Sequence, residues 1–318
     1  MTDTQLDRNI AATRWLRAGS TLDSLVGGTP LIRFPRLAAG LSRDVNIYGK
    51  AECYNPGGSV KDRPAAAILQ RALAEGLLEE GRVFLDSTSG NMGIAYATLG
   101  AALGVRIHLA IPANASPERL QILRALGAEL TLTDPLEGTD GAREVAAELA
   151  RREPARFYYA DQYSNPANWR AHYEGTGPEV VEQTQGMITH FVAGMGTTGT
   201  ITGVGRYLRQ LVPAARVIAV QPDGPLHGLE GLKHLATSPV PEIYDPAVVD
   251  EVVTVPTEAA HEMLRQAARL EGVLLGVSAG AALVATLQIA RNLDQGTVVT
   301  VLPDSGMKYL SQPFWSWP

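Results

Sequence analysis

Cysteine is nearly absent: Cys53 stands alone among 318 residues, which excludes an internal disulfide and any cysteine-cluster metal site. Six scattered histidines form no HExxH and no close pair, leaving little to bind zinc. Neither charge sign dominates. Twenty-seven basic side chains against 33 acidic ones give a net charge of −6, which argues against nucleic acid or an anionic membrane as the main partner. Long apolar runs are missing too. One uncharged stretch of membrane-spanning length, 272–290, is interrupted by Gly272, Gly276, Ser278, Gly280 and Gln288, so it reads as a buried strand end, turn and helix start. The first twenty residues carry Asp3, Asp7, Arg8, Arg14 and Arg17 and lack the apolar core of a signal peptide, so a cytoplasmic protein is expected. Lysine is scarce, with Lys50, Lys61, Lys233 and Lys308 set against 23 arginines.

What is present is ordinary globular material, 45% hydrophobic and 19% charged, in a length that suggests about two domains. Short apolar runs alternate with helical patterns, the signature of parallel strands in an α/β protein. Strands are expected at 46–52, 83–86, 106–111, 129–133, 156–160, 190–193, 216–220, 252–255 and 298–302. Ser116 with Pro117 reads as a helix start and Gly127 as its stop; Thr257 reads as the cap of another helix ending before Gly272. About nine strands are too many for one small sheet, so two doubly wound α/β domains are expected. In such folds ligands sit beyond the carboxyl ends of the strands.

Four strand-to-helix turns there are unusual. The first, Asn55-Pro-Gly-Gly-Ser-Val-Lys-Asp-Arg63, puts Lys61 where a glycine turn opens a helix. The positive helix end disfavours an ammonium and favours a neutral nucleophilic amine, although a solvated lysine would read the same. The second, from Ser87 through Thr88, Ser89, Gly90, Asn91 and Met92 to Gly93, precedes a helix expected from about Ile94. It offers hydroxyls and free N–H groups to a carboxylate, or merely caps the helix. The third, Gly194-Met-Gly196-Thr197-Thr198-Gly199-Thr200, suits a phosphate. It also satisfies G-x-G-x-x-G, but the acid that a dinucleotide site expects about 20 residues on is replaced by Gln221. The fourth puts Ser278 at a helix start in apolar surroundings, as a cap or as a neutral partner for a heteroatom of a bound ring.

In this order, from about residue 22 to 311, the turns resemble the cysteine synthase family of fold-type-II pyridoxal-phosphate enzymes, nearer its B-type branch. The resemblance implies the tryptophan synthase β-like architecture, two α/β domains with the active site between them. The smaller, mobile domain would span 51–165, and 1–50 with 166–318 would form the larger. It implies Lys61 as the covalent holder of pyridoxal 5′-phosphate and Gly196, Thr197, Thr198, Gly199 and Thr200 as its phosphate loop. Ser278 would meet the pyridine nitrogen, and Asn91 the ring hydroxyl. Thr88, Ser89, Gly90, Asn91 and Met92, with Gln162, would hold the substrate carboxylate. Met92 departs from the family's threonine, losing a hydroxyl donor while keeping the backbone N–H. Lys233 falls where B-type relatives carry a cation, and would meet an anionic leaving group.

The activity implied is β-replacement on O-acetylserine or O-phosphoserine by a sulfide donor, giving cysteine, in a cytoplasmic homodimer. Alternatives of the same chemistry are a cystathionine or diamino-acid synthase, and then a serine/threonine dehydratase, whose glycine run is absent. From other classes, a nicotinamide oxidoreductase would leave Lys61 unexplained, and a non-catalytic homologue would make Met92 a first sign of decay. The apolar end with Phe314, Trp315 and Trp317 is expected to pack on a neighbouring subunit or on its own domain.

Overall fold

The computed structural model describes residues 19–88 and 90–316. Its strands are β1 (Leu31–Arg33), β2 (Asp44–Ala51), β3 (Val83–Ser87), β4 (Ile107–Pro112), β5 (Glu129–Thr133), β6 (Phe157–Tyr159), β7 (His190–Gly194), β8 (Arg216–Pro222), β9 (Glu251–Val255) and β10 (Gln295–Leu302). The α-helices are α1 (Asp62–Ala74), α2 (Asn91–Leu103), α3 (Pro117–Ala125), α4 (Gly138–Arg152), α5 (Pro166–Ala171), α6 (Gly177–Gln183), α7 (Gly199–Leu211), α8 (Thr257–Glu271) and α9 (Val277–Ala290). All nine expected strands form, with ends shifted by up to three residues. The expectation missed β1, which is too short and too exposed for an alternation to show.

Two sheets result, one in the order β1-β2-β10-β7-β8-β9 and one in the order β5-β4-β3-β6. Every pairing is parallel except β1 on β2. Alternate side chains of each strand serve opposite faces. In the larger sheet Val192, Ile218, Val220 and Val298 meet α8 and α9, while Phe191, Val217, Ala219 and Val299 meet α7. In the smaller sheet Phe84, Leu109 and Ile111 meet α1 and α2, and Val83, Leu85 and Ala110 meet α4. Both sheets are therefore covered on both faces, the doubly wound arrangement that the strand pattern implied.

Each sheet also reverses its winding once. In the larger, β7 continues outward through β8 and β9 and the chain then returns to β10 on the other flank of β7. In the smaller, β3 leads out to β4 and β5, and β6 returns beside β3. Such reversals leave a crevice beyond the carboxyl ends of the two strands concerned. All four unusual turns bear on these crevices.

Two local expectations are corrected. Helix α2 begins at Asn91, before Gly93, so Asn91 and Met92 lie in its first turn. Gly93 is there for close approach: a Cβ on it would lie 2.5 Å from Thr88 Cγ2. Thr257 is the first residue of α8, whose cap is Pro256, and its Oγ1 accepts the Gly228 N–H at 2.9 Å. Ser116 does cap α3, accepting the Arg119 N–H at 3.3 Å. Phe314 and Trp315 dock on their own chain: Phe314 is buried, stacked on His261 at 4.2 Å, and Trp315 Nε1 donates to the Tyr309 carbonyl at 3.0 Å. Trp317 lies outside the described residues. Among the described residues no helix is long and apolar enough to cross a membrane.

Candidate active site

One cavity of about 290 Å³ opens between the two winding reversals. Its wall takes Lys61 from the first turn and Thr88, Gly90, Asn91 and Met92 from the second. Gly196, Thr197, Thr198 and Thr200 come from the third turn, and Ser278 from the fourth. Gln162 and Lys233 line it as well. Gly199 stands behind this wall, and Ser89 lies outside the described residues.

Lys61 immediately precedes α1. The helix start is fixed by Asp62, whose carboxylate accepts the N–H groups of Gly57 (2.5 Å) and Ser59 (3.0 Å). Arg63, one residue further, forks between Glu52 and Glu179 at 2.7 and 2.8 Å, and Lys50 pairs with Glu179 at 2.6 Å. This buried charge cluster ties the lysine loop to the end of β2 and to α6. Burial pushes the Lys61 amine below its ordinary pKa; Asp304 opposes the shift and Lys308 adds to it. The largest cause of the shift is desolvation, which the sequence did not show.

In the second turn Thr88 Oγ1 accepts the N–H groups of Gly90 (3.1 Å) and Gly93 (2.8 Å), so this hydroxyl shapes the loop. Met92 is 3% exposed and belongs to the apolar core of the smaller sheet. The missing threonine hydroxyl is thus replaced by a core contact, and backbone N–H groups at the start of α2 are what the loop offers an anion. Gln162 Nε2 donates to the Ser87 carbonyl at 3.0 Å, which fixes that amide against the end of β3.

The third turn is pressed into place from behind. A Cβ on Gly196 would run into the Gly231 carbonyl oxygen, and one on Gly199 into Asn168 Oδ1. Thr198 adopts φ +67°, a left-handed conformation that costs a non-glycine residue energy, of order 1–3 kcal/mol, and clusters at ligand clamps. Thr200 Oγ1 meets His172 Nε2 at 3.2 Å, and His172 Nδ1 meets Thr176 Oγ1 at 2.9 Å. Burial and the nearby Arg63 push His172 down to about 3, so it is neutral and braces the loop. It sits in a π-turn, His172–Thr176, that sequence reasoning missed; no periodicity marks a single wide turn. Ser278 lies in the first turn of α9, one residue past the start, and its hydroxyl makes no hydrogen bond within the described residues.

These groups fit the cofactor. An amine leaning toward neutrality suits covalent attachment, and threonine hydroxyls at a helix start suit a phosphate ester. Ser278, without a partner, suits a ring nitrogen. Lys233 stands at the rim, its Nζ 3.0 Å from Asp140 Oδ1 and 5.3 Å from the Tyr163 ring centre. Asp140, Arg119 and Glu230 went unrecognised in the sequence, and Asp304 and Lys308 were given no role there; for Lys308 the rarity of lysine was an available signal.

The comparisons agree with this geometry. Residues 22–304 match the family described as pyridoxal-phosphate dependent enzyme. The chain is 51% identical over 305 residues to a cysteine synthase of Aquifex aeolicus, covering 94% of this chain and 93% of that one. It is 42% identical to cysteine synthase B of Pseudomonas aeruginosa, over 92% and 96% of the two chains. O-acetylserine sulfhydrylase isoform 3 of Entamoeba histolytica superposes with a TM-score of 0.90 at 34% identity, covering 96% of this chain and 94% of the other. Fold, cavity and sequence agree, and the chain belongs to the pyridoxal-phosphate dependent enzymes.

Proposed function

We propose that the protein replaces the β-substituent of an O-activated L-serine, O-acetylserine or O-phosphoserine, with sulfide to give L-cysteine. The observation that carries this reading is the placement of a buried lysine, its amine pushed below its ordinary pKa, and a glycine-threonine loop at a helix start on one cavity. The names of the curated relatives support it. Pyridoxal 5′-phosphate, when bound, supplies the electron sink that acidifies Cα and lets the β-substituent leave. Lys61 would hold it covalently and, once its amine is freed by the substrate amine, take the Cα proton. Gly196, Thr197, Thr198 and Thr200 would hold the phosphate, with Gly199 opening the helix behind them. Ser278 would face the ring nitrogen and Asn91 the ring hydroxyl. The N–H groups of the 88–92 loop and the Gln162 amide would hold the substrate carboxylate. Lys233 would approach an anionic leaving group.

The same reading divides the chain into a smaller domain, 51–165, and a larger one, 1–50 with 166–318; the membership of β3–β6 in one sheet and of the other strands in the second supports this. It takes the protein to be a cytoplasmic homodimer. The test is direct. Purified protein should be yellow, borohydride should bleach it and fix the cofactor on the Lys61 peptide, and Lys61→Ala should lose cysteine formation by about a thousandfold or more. A cofactor fixed elsewhere, or no cysteine from either ester, would overturn the reading.

A further inference from the structure

Beside the cavity lies a group of charged side chains to which the proposed chemistry assigns nothing. Asn91, on the cavity wall, donates from Nδ2 to Asp304 Oδ2 at 2.7 Å, and its Oδ1 accepts from Lys308 Nζ at 2.8 Å. Tyr309 donates its hydroxyl to the same Asp304 oxygen at 2.8 Å. Lys308 Nζ also reaches the carbonyls of Gly57 (3.4 Å) and Gly58 (3.3 Å), in the loop that leads to Lys61. Asp304 is 1% exposed, so the acceptor that holds Asn91 is not shared with solvent.

We propose that Asp304 and Lys308 form a positioning pair that sets the orientation of the Asn91 amide toward the cofactor and couples it to the Lys61 loop. A side-chain amide has two ends of similar size, and only its surroundings decide which way it points. Here the flipped state would set oxygen against carboxylate and NH₂ against ammonium, two repulsive contacts in place of two charge-assisted hydrogen bonds. One amide N–H and the carbonyl oxygen are thereby committed, and the second N–H is left for a ligand in the cavity. An ammonium on the carbonyl oxygen polarises the amide and strengthens that remaining donor. Lys308 bridges segments that are far apart in sequence, the 57–58 turn and the start of α2, so both arrive at the cavity in fixed relation.

The inference rests on the proposed role of Asn91, and a double-mutant cycle separates the two. The readouts are the dissociation constant of pyridoxal 5′-phosphate, measured by titrating cofactor-stripped protein, and the visible absorption spectrum of the reconstituted protein. Lys308→Met should weaken cofactor binding at least tenfold and shift the absorption band, and Lys308→Arg should restore both to within about threefold of the parent. In an Asn91→Ala background the Lys308→Met change should add less than twofold. Full additivity would overturn the positioning role, as would an unaltered spectrum and affinity in Lys308→Met. If Asn91→Ala itself changes neither readout, the assignment of Asn91 fails and takes this inference with it. Should Lys308→Met fold poorly by circular dichroism, Asp304→Asn carries the same test from the other end of the amide, with the same expected loss and the same non-additivity with Asn91→Ala.

Discussion

The few lysines divide the labour at the scale of single residues. Lys50 is locked in a buried ion cluster, Lys61 opens on the cavity, Lys233 guards its rim and Lys308 grips Asn91, while arginine serves most of the surface. The count was legible in the sequence, and it directed attention to Lys61; the separate duties were not, because they depend on partners distant along the chain. Buried carboxylates were equally hidden. Asp86 accepts from the Ser87 N–H (2.7 Å), the Tyr96 hydroxyl (2.8 Å) and the Gln162 N–H (3.3 Å), and so joins β3, α2 and the Gln162 loop. Burial raises its carboxyl to about 7, and that of Asp62 to about 6, with the donated hydrogen bonds pulling the other way. An acid whose folded pKa is raised keeps a proton that the unfolded chain releases. Its stabilising contribution is therefore complete below about pH 4 and is lost as pH rises to 7. The Asp86 contribution should thus fall between pH 5 and 8, opposed in the lower part of that range by the depressed His172, and the change in stability from pH 5 to pH 8 should be less destabilising in Asp86→Asn than in the parent by about 2 kcal/mol. Urea denaturation at the two pH values measures it, and an identical fall in parent and variant would refute the assignment.

Among the elements, the strands were the easiest to read. Runs such as 216–220 and 298–302 are buried on both faces, and their continuous apolar character survives any uncertainty about their ends. Helix starts were harder. Gly93 looked like a turn glycine because sequence gives no sign of whether a missing Cβ serves backbone freedom or close packing. The same ambiguity surrounds Gly203, in the middle of α7. A Cβ there would fall 2.7 Å from His172 Cβ and 2.8 Å from the Tyr173 backbone nitrogen, and would also strike the Trp169 carbonyl. Gly203 therefore sets the distance between α7 and the 166–176 segment, and with it the contact of His172 with Thr200 behind the 196–200 loop. Overpacking of this kind costs about 1–3 kcal/mol. Gly203→Ala should lower stability by that amount in chemical denaturation and weaken cofactor binding several-fold, although the residue does not line the cavity. Unchanged stability with unchanged affinity would mean that α7 slides freely against its neighbour.

Across the whole molecule, the two winding reversals face one another, and side chains of the larger sheet's loops reach those of the smaller unit around the cavity. Lys233 meets Asp140, Glu230 meets Arg119 at 2.5 Å, and Asp304 meets Asn91. The resemblance implied a site between two units, but these pairings were not legible in the sequence, because they depend on how the two separately wound units are set against each other. Lys233 was expected to meet an anionic leaving group, and the structure shows it already sharing its charge with Asp140. The two residues should then act in opposite directions on the choice of ester. Removing the cation by Lys233→Ala should lower kcat/KM for O-phosphoserine relative to O-acetylserine, because the dianionic leaving group loses a partner that acetate needs less. Removing the competing carboxylate by Asp140→Asn should raise the same ratio. Asp140 is half exposed, so each effect belongs to the range of partly solvated ion pairs, about 1 kcal/mol or about fivefold. A general loosening of the contact between the two units would instead move both ratios the same way. Steady-state kinetics of the two variants with both esters separates the cases, and two shifts of the same sign would assign Lys233 to holding the units together rather than to recognising the leaving group.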